Sequence, residues 1–290
     1  MNGKDLISIR DLKREDIEEI FSLTAKMEEK VGHGEKPLKN TIVATLFFEP
    51  STRTKMSFET AAQRLGADLI SFSSVASTSM AKGESFVDTI RTVDGYVDLI
   101  IMRHKLEGSA RLASQVAMHP IVNGGDGGNQ HPTQTLIDLY AIKKFKGTIK
   151  GLNVYLVGDL KYARTMRSLL YGLGMFGANV TLISPRGLEM DGGIIEEVKK
   201  QFSIEIKQSE NLDLKDADVA YICRIQKERF ADPYEAEKIQ KEFKITEEQL
   251  HGVRSDFVLL HPLPKIDEIE PIVDKSKHAR YFEQATLGVP

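Results

Sequence analysis

Short apolar runs alternate with stretches of helical periodicity along the whole chain. Ile17, Ile20, Phe21, Thr24 and Met27 share one face between residues 11 and 30, the other face being charged, which predicts an amphipathic helix. Residues 42–47 form an apolar, partly β-branched run that reads as a buried strand. Phe58, Ala61, Ala62 and Leu65 then recur at helical spacing, and Gly66 can close that helix. A strand at 67–72 leads into a stretch of small and hydroxylated residues, 73–81, that has nothing to anchor it and is expected to be a mobile loop. Lys82-Gly83-Glu84 starts a helix carrying Phe86, Val87 and Ile90. Residues 97–102 read as another buried strand with Arg103 and His104 at its carboxyl end, followed by a helix near 109–117 and a short strand at 121–122. A glycine-rich turn is expected over 123–129, and His131-Pro132-Thr133-Gln134 opens the next helix, with proline in its tolerated first turn.

The second half repeats the alternation. Strands are expected at 153–157, 180–183, 204–206, 217–223 and 257–260, with helices following Arg164 and near 194–202. The fifth of these strands runs into His261-Pro262-Leu263-Pro264. No short-period repeat is visible. Strands and helices alternating at these lengths imply an α/β protein of two domains, each an open parallel sheet with helices on both faces. Residues 147–151 look like the boundary, giving domains 1–147 and 148–290.

Composition narrows the function classes. A chain of 290 residues holds two ordinary domains, and 39 basic against 42 acidic residues leave a net charge of −3. Bulk charge therefore does not recruit nucleic acid, and any anion site must be local. The single cysteine, Cys223, excludes an internal disulfide and a cysteine-rich zinc site and suits a reducing compartment. The first residues lack a signal-peptide core, and no apolar run approaches the ~20 residues of a membrane helix. A cytoplasmic protein without membrane or nucleic-acid partners is expected.

Within this frame the chemistry gathers at predicted strand ends. Phe48-Glu49-Pro50-Ser51-Thr52-Arg53-Thr54 joins a strand to a helix, so free backbone N–H groups, the positive end of the helix dipole, three hydroxyls and a guanidinium converge there. That is the chemistry of a phosphate pocket, although the glycines and the Gly-Lys pair of a Walker loop are missing. The plain alternative is that Ser51 or Thr52 caps the helix and Arg53 is a solvated charge. Ligands of open α/β sheets bind outside the carboxyl ends of the strands. There the sequence also puts Ser79 and Lys82, Arg103, His131 and Gln134, Arg164, Arg224 and Gln226, and residues 261–264. Singly, each has an ordinary alternative: Arg103 paired to a surface carboxylate, His131 capping its helix, Arg164, Arg224 and Lys82 simply solvated. Together they form a set rich in cations and donors, with no carboxylate pair, Ser-His-Asp arrangement or metal-ligand cluster. Such a site holds anions and stabilises developing negative charge, with no metal or other cofactor.

These residues resemble a known family. The stretch 48–54 is similar to the carbamoyl-phosphate motif of the aspartate and ornithine carbamoyltransferases. Met102-Arg103-His104, Asn129-Gln130-His131-Pro132-Thr133-Gln134, Arg224-Ile225-Gln226-Lys227-Glu228-Arg229 and His261-Pro262-Leu263-Pro264 resemble the aspartate carbamoyltransferase (aspartate transcarbamylase) catalytic chains within it. Lys82-Gly83-Glu84 and Lys161-Tyr162-Ala163-Arg164 also match, in order and spacing over nearly the whole chain.

The resemblance implies transfer of the carbamoyl group of carbamoyl phosphate to L-aspartate, an early step of de novo pyrimidine synthesis. It implies that Ser51, Thr52, Arg53, Thr54 and Arg103 grip the phosphate, while Thr54, Arg103 and His131 stabilise the carbonyl oxyanion. Gln134 and the carbonyls of Pro262 and Leu263, beside Pro264, would orient the carbamoyl amino group. Arg164 and Arg224, with Gln226, Lys82 and Leu263, would take the two carboxylates of aspartate. The departing phosphate itself would accept the amine proton. In the family Ser79 and Lys82 serve the site of a neighbouring subunit in a homotrimer, and separate regulatory chains are a further class of partner.

Two departures stand out. The loop containing Ser79 and Lys82 is one residue shorter than in some members, and the chain stops at Pro290, where members usually add a final helix. The competing readings are a carbamoyltransferase for another amine such as ornithine, whose enzymes typically show His-Cys-Leu-Pro at 261–264, and a nicotinamide-dependent oxidoreductase. A pair of arginines argues against the first, and the missing G-x-G-x-x-G after strand 153–157 against the second. A non-catalytic binder of a phosphorylated metabolite would leave the second pair of arginines unexplained.

Overall fold

The computed structural model describes residues 4–30, 34–72, 74, 78–225 and 233–290. The chain divides into two compact units, Met1–Leu136 with Gly288–Pro290, and Ile137–Leu287. Each carries one parallel sheet, as the alternation of apolar runs and helices requires.

In the first unit the sheet order is β2-β1-β3-β4, with β1 Ile42–Phe47, β2 Asp68–Phe72, β3 Leu99–His104 and β4 Ile121–Asp126. The amphipathic helix α1 (Arg14–Lys30) precedes the sheet. Five of the six β1 residues are buried, the continuous apolar pattern of a strand covered on both faces. Helix α2 (Thr52–Leu65) leaves β1 through the predicted turn and ends at Gly66, whose φ of 91° lets its N–H reach the carbonyls of Ala62 and Gln63. Helices α3 (Phe86–Asp94) and α4 (Ser109–Val116) cross between the later strands.

Two expectations need correction here. The strand after α4 does not stop at Val122: Asn123, Gly124, Gly125 and Asp126 belong to β4, not to a turn. They remain in the sheet because the buried Asn123 amide donates to the Ile7 carbonyl at 2.9 Å and to Asp126 at 2.9 Å, while its oxygen accepts the Gly125 N–H at 2.8 Å. Glycine suits position 124 because a Cβ there would sit 3.2 Å from the Met102 carbonyl oxygen, tighter than an ordinary contact. The stretch expected as an unanchored loop also has structure at its end. Ser79–Lys82 forms one 3-10 turn closed by Gly83 at φ 99°, and Met80 packs on the core that holds Phe48 and Ile90.

In the second unit the order is β7-β6-β5-β8-β9, with β5 Asn153–Val157, β6 Asn179–Ile183, β7 Ile206–Ser209, β8 Val219–Ile222 and β9 Val258–Leu260. Helix α5 (Pro132–Lys146) leads into it, and α6 (Arg164–Phe176) and α7 (Gly192–Phe202) fall where periodicity put them. The strand expected at 204–206 is shifted to 206–209, of which Ile206 is the one buried residue. Helices α8 (Pro233–Glu242) and α9 (Tyr281–Thr286) were not expected: both are short, and α8 is too polar for an apolar stripe to reveal it. Gly158, at the end of β5, has φ 117° and would place a Cβ 2.2 Å from the Cys223 carbonyl oxygen. Only glycine allows the ends of β5 and β8 to come that close.

Candidate functional site

Both sheets reverse their winding at a defined point: between β1 and β3 in the first unit, and between β5 and β8 in the second. At such a point the two neighbouring connections leave to opposite faces and open a crevice at the carboxyl edge of the strands. Ser51–Thr54 and Arg103 fall at the first of these places, and Arg164 and Arg224 at the second.

In the first unit Ser51–Thr54 follows β1 and Arg103 sits within neighbouring β3. Ser51 occupies the cap position with extended backbone, φ −158°, yet its hydroxyl makes no capping bond. The plain reading of Ser51 as a cap therefore does not hold. The first-turn N–H groups of α2 remain directed outward with Ser51 and Thr52 beside them. Arg53 is exposed as a residue, but the protein around its guanidinium excludes enough water to pull its pKa below the ordinary arginine value. It stays charged regardless, so the site keeps a fixed positive group.

Arg103 is built in more firmly. Opposite it β4 carries one extra residue, because Met102 pairs with Asn123 whereas His104 pairs with Asp126. A bulge of this kind bends the strand and re-aims the side chain across from it. The Arg103 guanidinium donates to the Gly124 carbonyl at 3.2 Å and to Glu49 at 3.0 Å, and lies 3.5 Å from His131 Nε2. Arginine has no acceptor, so in that contact His131 Nε2 is the accepting nitrogen. His131 is buried at the entry to α5, with Gln134 one turn further along. Their neighbours serve folding: Gln130 accepts the Ser8 hydroxyl at 3.0 Å, and Asp126 accepts the Asn129 amide at 3.0 Å and the Gly108 N–H at 2.8 Å.

The pair Arg103-His104 is split by strand alternation. His104 points into the core, packed at a tilt against Phe48 and edge-on to Phe86 with ring centroids 4.9 and 5.3 Å apart, and its Nδ1 accepts the Leu106 N–H at 3.0 Å. Burial first, and then the charge of Lys105, push its pKa below the ordinary histidine value, so it holds Phe48 as a neutral ring. Ser79 and Lys82 are both exposed.

In the second unit Arg164 is the first residue of α6, beyond β5, and Arg224 follows β8 by two residues. Because β5 and β8 are hydrogen-bonded neighbours, two guanidinium groups flank one switch point. The turn before Arg164 is fixed by buried Asp159, whose Oδ1 accepts the N–H groups of Lys161 at 3.2 Å and Tyr162 at 2.9 Å. Next to β8 runs β9, and residues 261–264 leave its end with Leu263 at φ 56° and a cis peptide before Pro264. A left-handed leucine costs about 1–2 kcal/mol, so the surroundings must hold it. Pro262 and Leu263 are half-buried and Pro264 is exposed. Gln226 lies outside the described residues.

Glu49 was given no role by sequence reasoning, which noted only that the strand-end residues hold no carboxylate pair. A carboxylate two positions before Ser51 in an anion motif was itself a signal, since it demands a nearby cation. Glu268 was also missed: it is buried and bonded to His261 Nε2 at 2.8 Å. No local pattern marks it. Among the described residues no group of three His, Cys, Asp or Glu side chains could hold a metal ion, and no helix is long and apolar enough to cross a membrane.

Comparison with known proteins matches residues 4–144 to the carbamoyl-phosphate-binding domain of aspartate/ornithine carbamoyltransferase, and residues 150–290 to its Asp/Orn-binding domain. The chain is 49% identical over 290 residues to the aspartate carbamoyltransferase catalytic subunit of Methanocella arvoryzae, covering 99% of this chain and 94% of that one. It resembles the solved catalytic subunit of M. jannaschii aspartate transcarbamoylase at a TM-score of 0.93, 48% identity and coverage of 99% and 94%. It is also similar, at a TM-score of 0.93, 34% identity and coverage of 99% and 92%, to Trypanosoma cruzi aspartate transcarbamoylase solved with N-(phosphonacetyl)-L-aspartic acid.

Proposed function

The chain belongs to the aspartate/ornithine carbamoyltransferase family, and on that premise we infer that it is an enzyme of the aspartate kind. It transfers the carbamoyl group of carbamoyl phosphate to the amino group of L-aspartate, giving N-carbamoyl-L-aspartate and phosphate. The observation that carries the choice of acceptor is the pair Arg164 and Arg224 at one switch point, with the local carboxylate, Asp159, turned to backbone N–H groups. Two guanidinium groups suit the two carboxylates of aspartate, whereas the cationic side chain of ornithine would be repelled.

The remaining roles follow from charge. Ser51, Thr52, Arg53 and Thr54, with Arg103, take the phosphate of carbamoyl phosphate at the amino end of α2. Thr54, Arg103 and His131 stabilise the carbonyl oxygen, where negative charge grows as the amine attacks. Gln134 and the carbonyls of Pro262 and Leu263, next to Pro264, accept from the carbamoyl amino group. The neutral amine forms a C–N bond to the carbonyl carbon, the bond from that carbon to the phosphate oxygen breaks, and the amine proton leaves with the phosphate. Gln226 assists at the aspartate carboxylates. The first family domain, ending near residue 147, serves carbamoyl phosphate, and the second serves aspartate. Ser79 and the exposed Lys82 serve the site of an adjacent subunit in a cytoplasmic homotrimer.

The test offers carbamoyl phosphate with aspartate, with ornithine or alone, following phosphate release and carbamoylated product. Aspartate-dependent turnover is expected. Turnover with ornithine, or none with either amine from assembled protein, would overturn the reading.

A further inference from the structure

Residues 261–268 close on themselves through a buried charge. The Glu268 side chain is 3% exposed and that of His261 1%. Glu268 Oε1 bonds His261 Nε2 at 2.8 Å, and Oε2 accepts the N–H groups of Ile266 at 3.0 Å and Asp267 at 3.1 Å. His261 Nδ1 accepts the Leu263 N–H at 2.8 Å. Since Nδ1 accepts, the ring proton must sit on Nε2, where the Glu268 carboxylate receives it. Burial alone would raise the Glu268 carboxyl, but the His261 bond and the backbone N–H groups outweigh it and leave the pKa below the ordinary glutamate value. One carboxylate thus determines a tautomer, and that tautomer holds the left-handed Leu263 at φ 56°.

We propose that Glu268 is a positioning residue: through His261 it aims the carbonyls of Pro262 and Leu263 at the carbamoyl amino group. This rests on the assignment of that turn to carbamoyl phosphate made above. Glu268→Gln is the informative change because it cannot satisfy both ends. An amide oxygen turned to His261 sets an NH2 against the Ile266 and Asp267 N–H groups. Turned the other way, its NH2 faces Nε2, and His261 must give up the acceptor that Leu263 needs. The start of the turn stays tethered, because the His261 N–H separately bonds Gln284 at 3.0 Å and Gln284 bonds Asp138 at 2.6 Å.

The experiment uses the full chain and calorimetric titration with two probes, carbamoyl phosphate and inorganic phosphate. Phosphate needs the anion motif but not the turn, so the ratio of the two dissociation constants isolates the turn. In Glu268→Gln that ratio is expected to rise about tenfold or more, with phosphate affinity unchanged within about twofold. His261→Asn, whose side-chain oxygen can still accept the Leu263 N–H, should change the ratio less, and the double variant should be no worse than Glu268→Gln. A ratio unchanged in either folded variant, or single effects that multiply in the double, overturns the proposal. Should Glu268→Gln fail to fold, the ratio measured for His261→Asn decides alone. If the wild-type chain binds carbamoyl phosphate no better than phosphate, the functional reading itself fails.

Discussion

Replacing Arg103 by lysine separates charge from geometry. The guanidinium addresses Glu49 at 3.0 Å, the Gly124 carbonyl at 3.2 Å and His131 at 3.5 Å from one rigid plane. A lysine keeps the charge but reaches only one of these directions at a time, so at least one charged-donor hydrogen bond is lost. Such bonds contribute about 1.5–3 kcal/mol each, and the partial exposure of Arg103 and Glu49 (13% and 25%) argues for the lower end, a net loss of about 1–2 kcal/mol. At about 2–4 °C per kcal/mol the melting temperature should drop by roughly 2–8 °C. The kinetic effect should be larger: losing one aimed oxyanion donor lowers kcat by about 10²–10³-fold. Because that donation strengthens as the carbonyl oxygen gains charge, kcat and kcat/KM for carbamoyl phosphate should fall together. Steady-state kinetics with scanning calorimetry reads both. A lysine variant that keeps more than about a tenth of wild-type kcat would show that charge alone suffices and refute the role of the fork.

Two further outcomes are expected. Chains carrying Arg53→Ala and chains carrying Lys82→Ala, each inactive alone, should regain activity when mixed and allowed to exchange subunits, because some sites then combine two intact sets; exchanged mixtures as inactive as their parents would exclude a shared site. Buried His104 resists protonation, so the unfolded chain takes up a proton from about pH 6.5 downward while the folded chain does not. Its contribution is complete above that value and is lost as the pH falls toward the depressed folded value. Melting curves between pH 7.5 and 5 should therefore steepen for wild type relative to His104→Asn, whose oxygen can still accept the Leu106 N–H; parallel curves would remove His104 as the cause.

Much of the fold was legible because buried parallel strands are apolar throughout and their crossover helices are not. Residues 42–47 and 153–157 were delimited from hydrophobicity alone. The end of β4 was misread because glycine carries no apolar signal. Gly124 and Gly125 belong to the strand on account of the adjacent buried Asn123, which is tied to the distant Ile7 carbonyl, and of the Met102 carbonyl on the neighbouring strand. Helix α8 was missed for the related reason that its polar sequence offers no stripe.

By itself the sequence determined the α/β class, the strand-to-helix turn at Ser51–Thr54, and the family resemblance, since each is carried by residues close together in the chain. Tertiary structure alone decided which strands are neighbours, because pairing joins segments far apart that share no local code. It thereby decided that Arg164 and Arg224 face one crevice edge, and that Arg103 is held by Glu49 at a bulge of β4. It also decided that Arg103 bonds Glu49 and the Gly124 carbonyl while its neighbour His104 packs into the core. Alternation along a strand sends adjacent side chains to opposite faces, and only the packed sheet says which face is wet.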